Sequence, residues 1–372
     1  MPARELIRVC VVVSVHPHVY MGGAQYQAHL LASELARRKD VMLTYIGRNV
    51  PNADAAKSLP YSVCRIGHNR GFRRRSVLFD APDLWRALRQ LRPHIIYQRM
   101  KQSYSGVCCK YSRQYDVPFI FHVASDADLQ IYPTRSHLSA NLPLDIADAA
   151  IGNWGVRRAT HIIVQSNTQG KRLGEVFQRT PSRVIRNFQP LRHELPGKEA
   201  SGTRVLWVGN FKDVKRPELF VQMAQHFGNR DDLQFWMVGM PSTNRKFARL
   251  MLEIDKCSNL QYFGGLPLEK VNALMSQAEI VVNTSRYEGF PNTFIQAWSN
   301  GAVVVSLSVD IDDGLEAQGV GYCAGSVDKL NAIVAAIELS SEAPVVRVDT
   351  VEREEGVDTL ALHRSVMPDA GR

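Results

Sequence analysis

Short apolar runs recur along the whole 372-residue chain, and between consecutive runs lie stretches with the apolar period of an amphipathic helix. A strand that is followed by a helix reaches its neighbour through a crossover, so this alternation predicts a doubly wound α/β architecture built on parallel sheets. In the first half the runs predict strands near 6–15, 41–47, 61–66, 94–99, 117–123 and 161–165, with helices near 24–38, 80–91, 104–115, 143–158 and 168–178. The pattern breaks at Asn187-Phe188-Gln189-Pro190 and through Leu195-Pro196-Gly197-Lys198-Glu199-Ala200-Ser201-Gly202, where proline, glycine and charge replace apolar periodicity. It then restarts, with strands near 204–209, 233–238, 260–263, 280–284 and 303–307 and helices near 217–228, 243–257, 268–277, 291–299 and 327–339. The expected organisation is a Rossmann-like domain over 1–187, a linker over 188–203, a second Rossmann-like domain over 204–340 and a weakly periodic tail over 341–372. Open α/β sheets bind ligands outside the carboxyl ends of their strands, so two such domains predict a cleft that holds one reactant on each side.

Length and composition agree with two cores rather than one, since 45% of the residues are hydrophobic and the chain exceeds the size of an ordinary single domain. No apolar run reaches the roughly 18 residues needed to cross a bilayer, and no basic stretch leads into a cleavable apolar segment, so a cytosolic protein is expected. Cys10, Cys64, Cys108, Cys109, Cys257 and Cys323 are scattered without metal-ligand spacing and read as reduced core residues. Charge is uneven. Residues 1–190 hold 27 Lys and Arg against 12 Asp and Glu, whereas residues 191–372 hold 18 against 24. The basic half favours an anionic partner, and its densest point is Arg70-Gly71-Phe72-Arg73-Arg74-Arg75. That segment reads either as a solvated loop or as an anionic membrane contact anchored by Phe72. No recognition helix or aromatic-basic motif for nucleic acid accompanies it.

Four segments carry candidate chemistry. Glu279-Ile280-Val281-Val282-Asn283 followed by Ser285 to Trp298 reads as a buried strand, a glycine turn and a helix whose first position is Pro291. Free amides at such a helix start suit an anion, with Glu288 on the turn and Gln296 two helical turns later facing the same ligand. After the first strand, His16 to Gln25 contains Gly22-Gly23, where bare backbone lets a diphosphate or sugar oxygen approach, but it lacks the G-x-G-x-x-G fingerprint of a nicotinamide or flavin site. In the second half, Leu206 to Glu218 runs from strand to helix with Lys215 and Arg216 available to neutralise a diphosphate. His122, at the end of the run Phe119-Ile120-Phe121-His122-Val123, reads as a core histidine or as a ligand contact at the cleft.

Together these segments resemble the retaining glycosyltransferases of family 4, also called group 1, from the first strand to about residue 340. Glu288-Gly289-Phe290-Pro291-Asn292 with Gln296 is similar to that family's E-x7-E element, Gly22-Gly23 to its first glycine loop, Val208-Gly209 with Lys215 to its diphosphate loop, and Thr160 to Ser166 to the last strand of its acceptor domain. The resemblance implies the GT-B fold, with a nucleoside-diphosphate sugar on the second domain and the acceptor on the first. It implies that Glu288 contacts donor hydroxyls and that the turn Gly289, Phe290, Pro291, Asn292, Thr293 holds sugar and phosphate. Lys215 would stabilise the leaving diphosphate and His122 would contact the donor sugar, with no metal and no cofactor beyond the sugar nucleotide itself.

Two positions depart from the family pattern. Asn210 stands where an arginine is usual, which leaves Arg216 or Lys212 to replace the missing cation, and Gln296 stands where a second acid is usual. Glutamine still exchanges hydrogen bonds with a ribose diol, so altered donor binding is expected rather than a dead enzyme. The expected function is transfer of a hexose, with retention, to a lipid-linked saccharide or growing surface polysaccharide at the inner face of a membrane. The rival readings are a non-catalytic nucleotide-sugar or polysaccharide-binding relative and a sugar-nucleotide epimerase.

Overall fold

In the computed structural model, which describes residues 6–67, 76–132, 142–189, 202–241, 245–312 and 314–339, every apolar run named above forms a strand. The chain divides into two units, Met1–Phe188 and Gln189–Arg372. The first contains β1 (Ile7–Val12), β2 (Val41–Gly47), β3 (Ser62–Arg65), β4 (Ile95–Arg99), β5 (Phe119–His122), β6 (His161–Val164) and β7 (Arg183–Val184). All pairings are parallel, in the order β3-β2-β1-β4-β5-β6-β7. Its helices are α1 (Gly23–Ala36), the single turn α2 (Ala53–Ala56), α3 (Ala81–Leu91), α4 (Ser103–Tyr115), α5 (Leu142–Arg157) and α6 (Asn167–Phe177). Because helices cover both faces, the central strands are apolar nearly throughout, and all five residues of β4 are buried.

Local chemistry punctuates the helices. α3, α4 and α6 each end on a non-glycine residue in the left-handed region, namely Arg92, Asp116 and Gln178, whose amides close back onto Leu88, Ser112 and Gly174. That closure satisfies a terminal carbonyl and turns the chain toward the next strand. At the other end of α6 the Ser166 hydroxyl accepts from the Gln169 amide at 3.1 Å.

The second unit repeats the plan. β8 (Thr203–Val208), β9 (Leu233–Val238), β10 (Leu260–Tyr262), β11 (Ile280–Asn283), β12 (Val303–Ser306) and β13 (Gly321–Cys323) pair in parallel in the order β10-β9-β8-β11-β12-β13. α7 (Pro217–His226), α8 (Arg245–Ile254), α9 (Leu268–Gln277), α10 (Asn292–Trp298) and α11 (Val327–Leu339) supply the crossovers. One face packs Trp207, Phe211, Phe220, Phe235 and Phe247 together, and the other packs Phe290, Phe294 and Trp298 against Val281 and Val304. β7, β13 and α2 escaped the sequence reading because two to four residues, largely exposed or containing glycine, carry no period to detect.

No helix among the described residues is long and apolar enough to cross a membrane. Arg70, Phe72, Arg73, Arg74 and Arg75, most of the linker, and the tail from 341 lie outside the described residues. All six cysteines are free thiols.

One ion pair is locked into the interior of the first unit. Arg48 meets Asp80 with two parallel bonds, Nε to Oδ2 at 2.7 Å and Nη2 to Oδ1 at 2.7 Å, and the Tyr104 hydroxyl donates to the same carboxylate at 2.5 Å. Both side chains are nearly inaccessible, at 8% and 1% exposed. Removing one partner strands a buried charge, so Asp80→Ala is expected to destabilise the protein by about 3–5 kcal/mol, measured as a lower urea midpoint followed by circular dichroism.

Candidate active site

In both sheets the strand order reverses beside the first strand of the unit, between β1 and β4 and between β8 and β11. The crossovers on either side of such a point leave in opposite directions, and the crevice this opens at the carboxyl ends of the strands is where open α/β sheets hold ligands. Both glycine loops singled out in the sequence begin there.

In the second unit, the loop after β8 and the loop after β11 are laced together at Thr284. Its hydroxyl accepts from Trp207 Nε1 at 2.9 Å and donates to the Lys215 carbonyl at 2.6 Å. Arg286 N donates to the Val214 carbonyl at 2.9 Å. Arg216, in the left-handed region at φ 48°, turns its guanidinium onto the Thr284 carbonyl at 2.6 Å, the Ser285 carbonyl at 3.0 Å and Ser308 Oγ at 2.8 Å. Arg216 therefore clamps the ends of β11 and β12, a structural role that the sequence did not signal. Lys212, the other candidate replacement cation, is exposed.

This lacing brings Lys215 to Glu288. Lys215 Nζ lies 2.8 Å from Glu288 Oε2, with the two side chains 24% and 17% exposed. The other carboxylate oxygen accepts from Asn283 Nδ2 at 2.9 Å. Asn283 is oriented in turn because its Oδ1 accepts the Ser285 amide at 2.9 Å, which leaves only its amino group to face the acid. Burial by itself pushes the Glu288 carboxyl up, but the Lys215 charge and hydrogen bonds from Lys215, Ser285 and Asn283 outweigh it and hold the group below the usual glutamate range. The outcome is an ionised, oriented carboxylate beside a primary ammonium. Asn283, Ser285 and Thr284 were not singled out in the sequence, although a polar residue closing the apolar run of β11 was the available signal.

The remaining second-unit candidates divide by role. Gly209 N closes onto the Val238 carbonyl at 2.9 Å, and a Cβ on Gly239 would stand 1.8 Å from the Gly209 carbonyl, so these two backbones touch. Asn210 Oδ1 accepts the Met240 amide at 3.2 Å. The Phe290 ring is core, 6% exposed and 6.2 Å from the Trp298 ring. Pro291 is the residue before the helix and not its first position, since α10 begins at Asn292; its extended ψ of 126° is incompatible with a helical turn. Asn292 and Thr293 are half-buried in the first turn of α10, after Gly289, while Gln296 is buried with its carbonyl accepting from Asn300 Nδ2 at 2.7 Å.

In the first unit, Gly22 caps α1 and Gly23 opens it. Beneath that loop His16 is fully buried, bonded through Nε2 to the Tyr61 hydroxyl at 2.9 Å and through Nδ1 to the His18 amide at 3.2 Å. Burial, with His18 and His29 nearby, pushes His16 down to about 3, so it is neutral under ordinary conditions. His122 ends β5, 5% exposed, with Nδ1 2.8 Å from the Tyr97 hydroxyl. Tyr97 and Arg99, both buried in β4, were missed because they sit inside a run read only as a strand. The chain leaves that strand through Met100 at φ 69°, a costly conformation for a bulky residue, worth about 1–3 kcal/mol.

Residues 21–191 match the Glycosyltransferase Family 4 profile and residues 202–340 match Glycosyl transferases group 1. The chain belongs to the group 1, or family 4, glycosyltransferases. Sucrose-phosphate synthase from Thermosynechococcus elongatus is similar in structure, with a TM-score of 0.76 at 18% identity over 96% of this chain and 97% of that one. Anabaena HepE, solved with UDP and glucose, gives 0.71 at 15% identity over 97% and 100%. S. aureus TarM, solved with Fondaparinux, alpha-GlcNAc-glycerol and UDP, gives 0.70 at 11% identity over 96% and 98%. These likenesses establish the GT-B fold, two Rossmann-like domains. No curated protein matches the sequence.

The geometry around Glu288 sets a pH dependence for this glycosyltransferase. A carboxyl held below its unfolded value of 4.5 contributes stability that is complete above pH 4.5 and is lost as pH falls through the lower folded value. Glu288→Gln is therefore expected to flatten the acid limb of the stability profile between pH 7 and pH 3, measured by urea midpoints across that range.

Proposed function

We propose that this group 1 glycosyltransferase moves a hexose, with retention of configuration, from a nucleoside-diphosphate sugar to a lipid-linked saccharide or growing surface polysaccharide. The observation that carries the reading is the Lys215–Glu288 pair at the switch between β8 and β11, 2.8 Å apart and partly open to solvent. Breaking the bond from the anomeric carbon to the diphosphate builds negative charge on the leaving group, and a preorganised ammonium meets that demand. The neighbouring carboxylate accepts hydrogen bonds from sugar hydroxyls, so a donor would divide the pair, taking the acid at its hexose and the lysine at its diphosphate. In the same reading His122 offers an imidazole nitrogen to a donor-sugar hydroxyl. Gly22 and Gly23, with the turn from Gly289 to Thr293, hold oxygens through backbone amides, and Gln296 holds the ribose. Lys215 supplies the cation, so transfer needs no metal.

A membrane-surface acceptor is supported by α5, where Leu142, Ile146 and Trp154 recur at helical spacing and are 48%, 49% and 38% exposed. Arg157 and Arg158 close that stripe, the Arg158 guanidinium lying 5.3 Å from the Trp154 ring centre. Apolar side chains ending in arginines suit the boundary of an anionic leaflet.

The second reading is a non-catalytic nucleotide-sugar binder, favoured by Asn210, whose amide is engaged with Met240 and adds no charge. Turnover separates the two. Acceptor-dependent release of nucleoside diphosphate is expected to persist in EDTA and to fall by about 10²–10³-fold in Lys215→Ala and in Glu288→Ala. Donor consumption that needs no acceptor would instead identify an epimerase or hydrolase. For the membrane, the protein is expected to pellet with anionic vesicles at low salt and to be released at high salt, with Ile146→Asp weakening the binding; failure to pellet at low salt removes the lipid part.

A further inference from the structure

The loop from β1 to α1, which carries Gly22 and Gly23, is folded around one residue. The His16 carbonyl accepts the amides of Val19 at 2.9 Å and Tyr20 at 3.1 Å, and the His16 amide donates to the Asn49 carbonyl at 2.7 Å. The His16 ring adds a fourth tie, its Nδ1 accepting the His18 amide at 3.2 Å. Packing gives the same loop little hold, because Val19, Tyr20 and Met21 are 51%, 45% and 46% exposed. Hydrogen bonds to a sealed histidine therefore set the shape of an exposed loop.

From that ring the bonds continue in one line. His16 Nε2 lies 2.9 Å from the Tyr61 hydroxyl, and the same oxygen lies 2.5 Å from His29 Nδ1 on α1. Tyr61 stands just before β3 and is buried. The loop, the approach to β3 and the first helix thus meet at one phenolic oxygen.

Donor and acceptor chemistry gives this line a direction. A backbone amide only donates, so His16 Nδ1 carries no proton, and a neutral imidazole with a bare Nδ1 is protonated on Nε2. That nitrogen donates to Tyr61, whose own hydrogen is left for His29 Nδ1. His29 therefore accepts there and carries its proton on Nε2. The opposite tautomer of His29 would aim two donors at the Tyr61 oxygen and leave the tyrosine hydrogen without an acceptor among the described residues, a costly outcome in a buried place. The charge states agree with this order. Burial pushes the Tyr61 hydroxyl up, which keeps its hydrogen in place, and burial with His18 nearby pushes His29 down, which keeps it neutral at pH 7.5.

We propose that Tyr61 and His29 are positioning residues: His29 Nδ1 takes the Tyr61 hydrogen, Tyr61 thereby accepts from His16 Nε2, and His16 is held in the tautomer whose Nδ1 seats the Gly22-Gly23 loop. That this loop meets a substrate rests on the function proposed above; the order of protons and the seating of the loop do not, and both are measured without turnover.

The test uses the full chain labelled with ¹⁵N-histidine, with long-range ¹H–¹⁵N correlation at pH 7.5 and His16→Gln and His29→Asn identifying the two sets of signals. Both histidines are expected to show the Nε2–H pattern in the wild-type protein. In His29→Leu the Tyr61 hydrogen has no acceptor but His16 Nε2, so His16 is expected to shift toward a mixture of tautomers. Deuterium uptake by residues 16–23, followed by mass spectrometry, is expected to become roughly 5-fold faster in the same variant, the worth of one hydrogen bond. His29→Asn, which offers Oδ1 as the acceptor, is expected to restore the wild-type His16 pattern and uptake. Tyr61→Phe is expected to release His29 to a mixture of tautomers and to speed uptake likewise. An Nδ1–H or doubly protonated form of either histidine in the wild type, or signals and uptake unchanged in both His29→Leu and Tyr61→Phe, overturns the proposal. Circular dichroism confirms folding, and Tyr61→Phe carries the test if His29→Leu does not fold. In a transfer assay His29→Leu is expected to raise KM for the nucleotide sugar by roughly 5-fold with kcat little changed, and His29→Asn to reverse it. An unmoved KM beside the expected tautomer and uptake results counts against the role proposed above for Gly22 and Gly23 and leaves the seating of the loop standing.

Discussion

Parallel pairing is the constraint on which everything else in this protein depends. A parallel neighbour is reached only by carrying the chain back over the sheet, so every strand delivers its carboxyl end to the same edge. Both sheets obey this without exception among the described strands. The polar residues at those ends, Arg99 and His122 in one unit and Asn283 in the other, therefore collect at one edge, while the same strands remain apolar through the core. The reversal of order beside β1 and β8 then parts the flanking crossovers and leaves room for a ligand.

Charges at these edges are managed in three ways that reflect how far each must serve something other than the fold. Arg48 and Asp80 are sealed and mutually saturated, which fixes geometry and leaves nothing to offer a ligand. Lys215 and Glu288 are paired but partly accessible, and the carboxylate is aimed by Asn283 and Ser285, so neither charge is sealed away from solvent. Arg99 is sealed without an ion-pair contact among the described residues and donates to the neutral side chain of Asn187. The cost of burying a charge is lowest in the first arrangement and highest in the third.

Much of the fold could be read directly from residue order. The alternation of runs, the break near Asn187 and the limits of most helices are local properties, since period, capping and proline act within a few residues. Pro291 shows the margin of such reading, because a proline suits either the first helical position or the one before it, and packing of Phe290 and Phe294 into the core decides which. Within the site, Glu288 stood out as an acid on a glycine turn after a buried strand. Arg216 did not reveal that its guanidinium would be used on strand-end carbonyls, because nothing local distinguishes a cation awaiting a phosphate from one bound to the backbone.

By itself the sequence determined a two-unit α/β chain, its strand and helix succession and the short loops where chemistry had to lie. The family follows from motifs in those loops together with the profiles that match both halves. Only the tertiary structure decided partnerships: that Lys215 meets Glu288, that Asn283 turns its amino group toward that acid, and that the Tyr97 hydroxyl meets His122. The physical reason is one of range. Periodicity and turn chemistry are written in neighbouring residues, whereas an ion pair or a proton's position depends on strand register and loop closure between segments far apart in the chain.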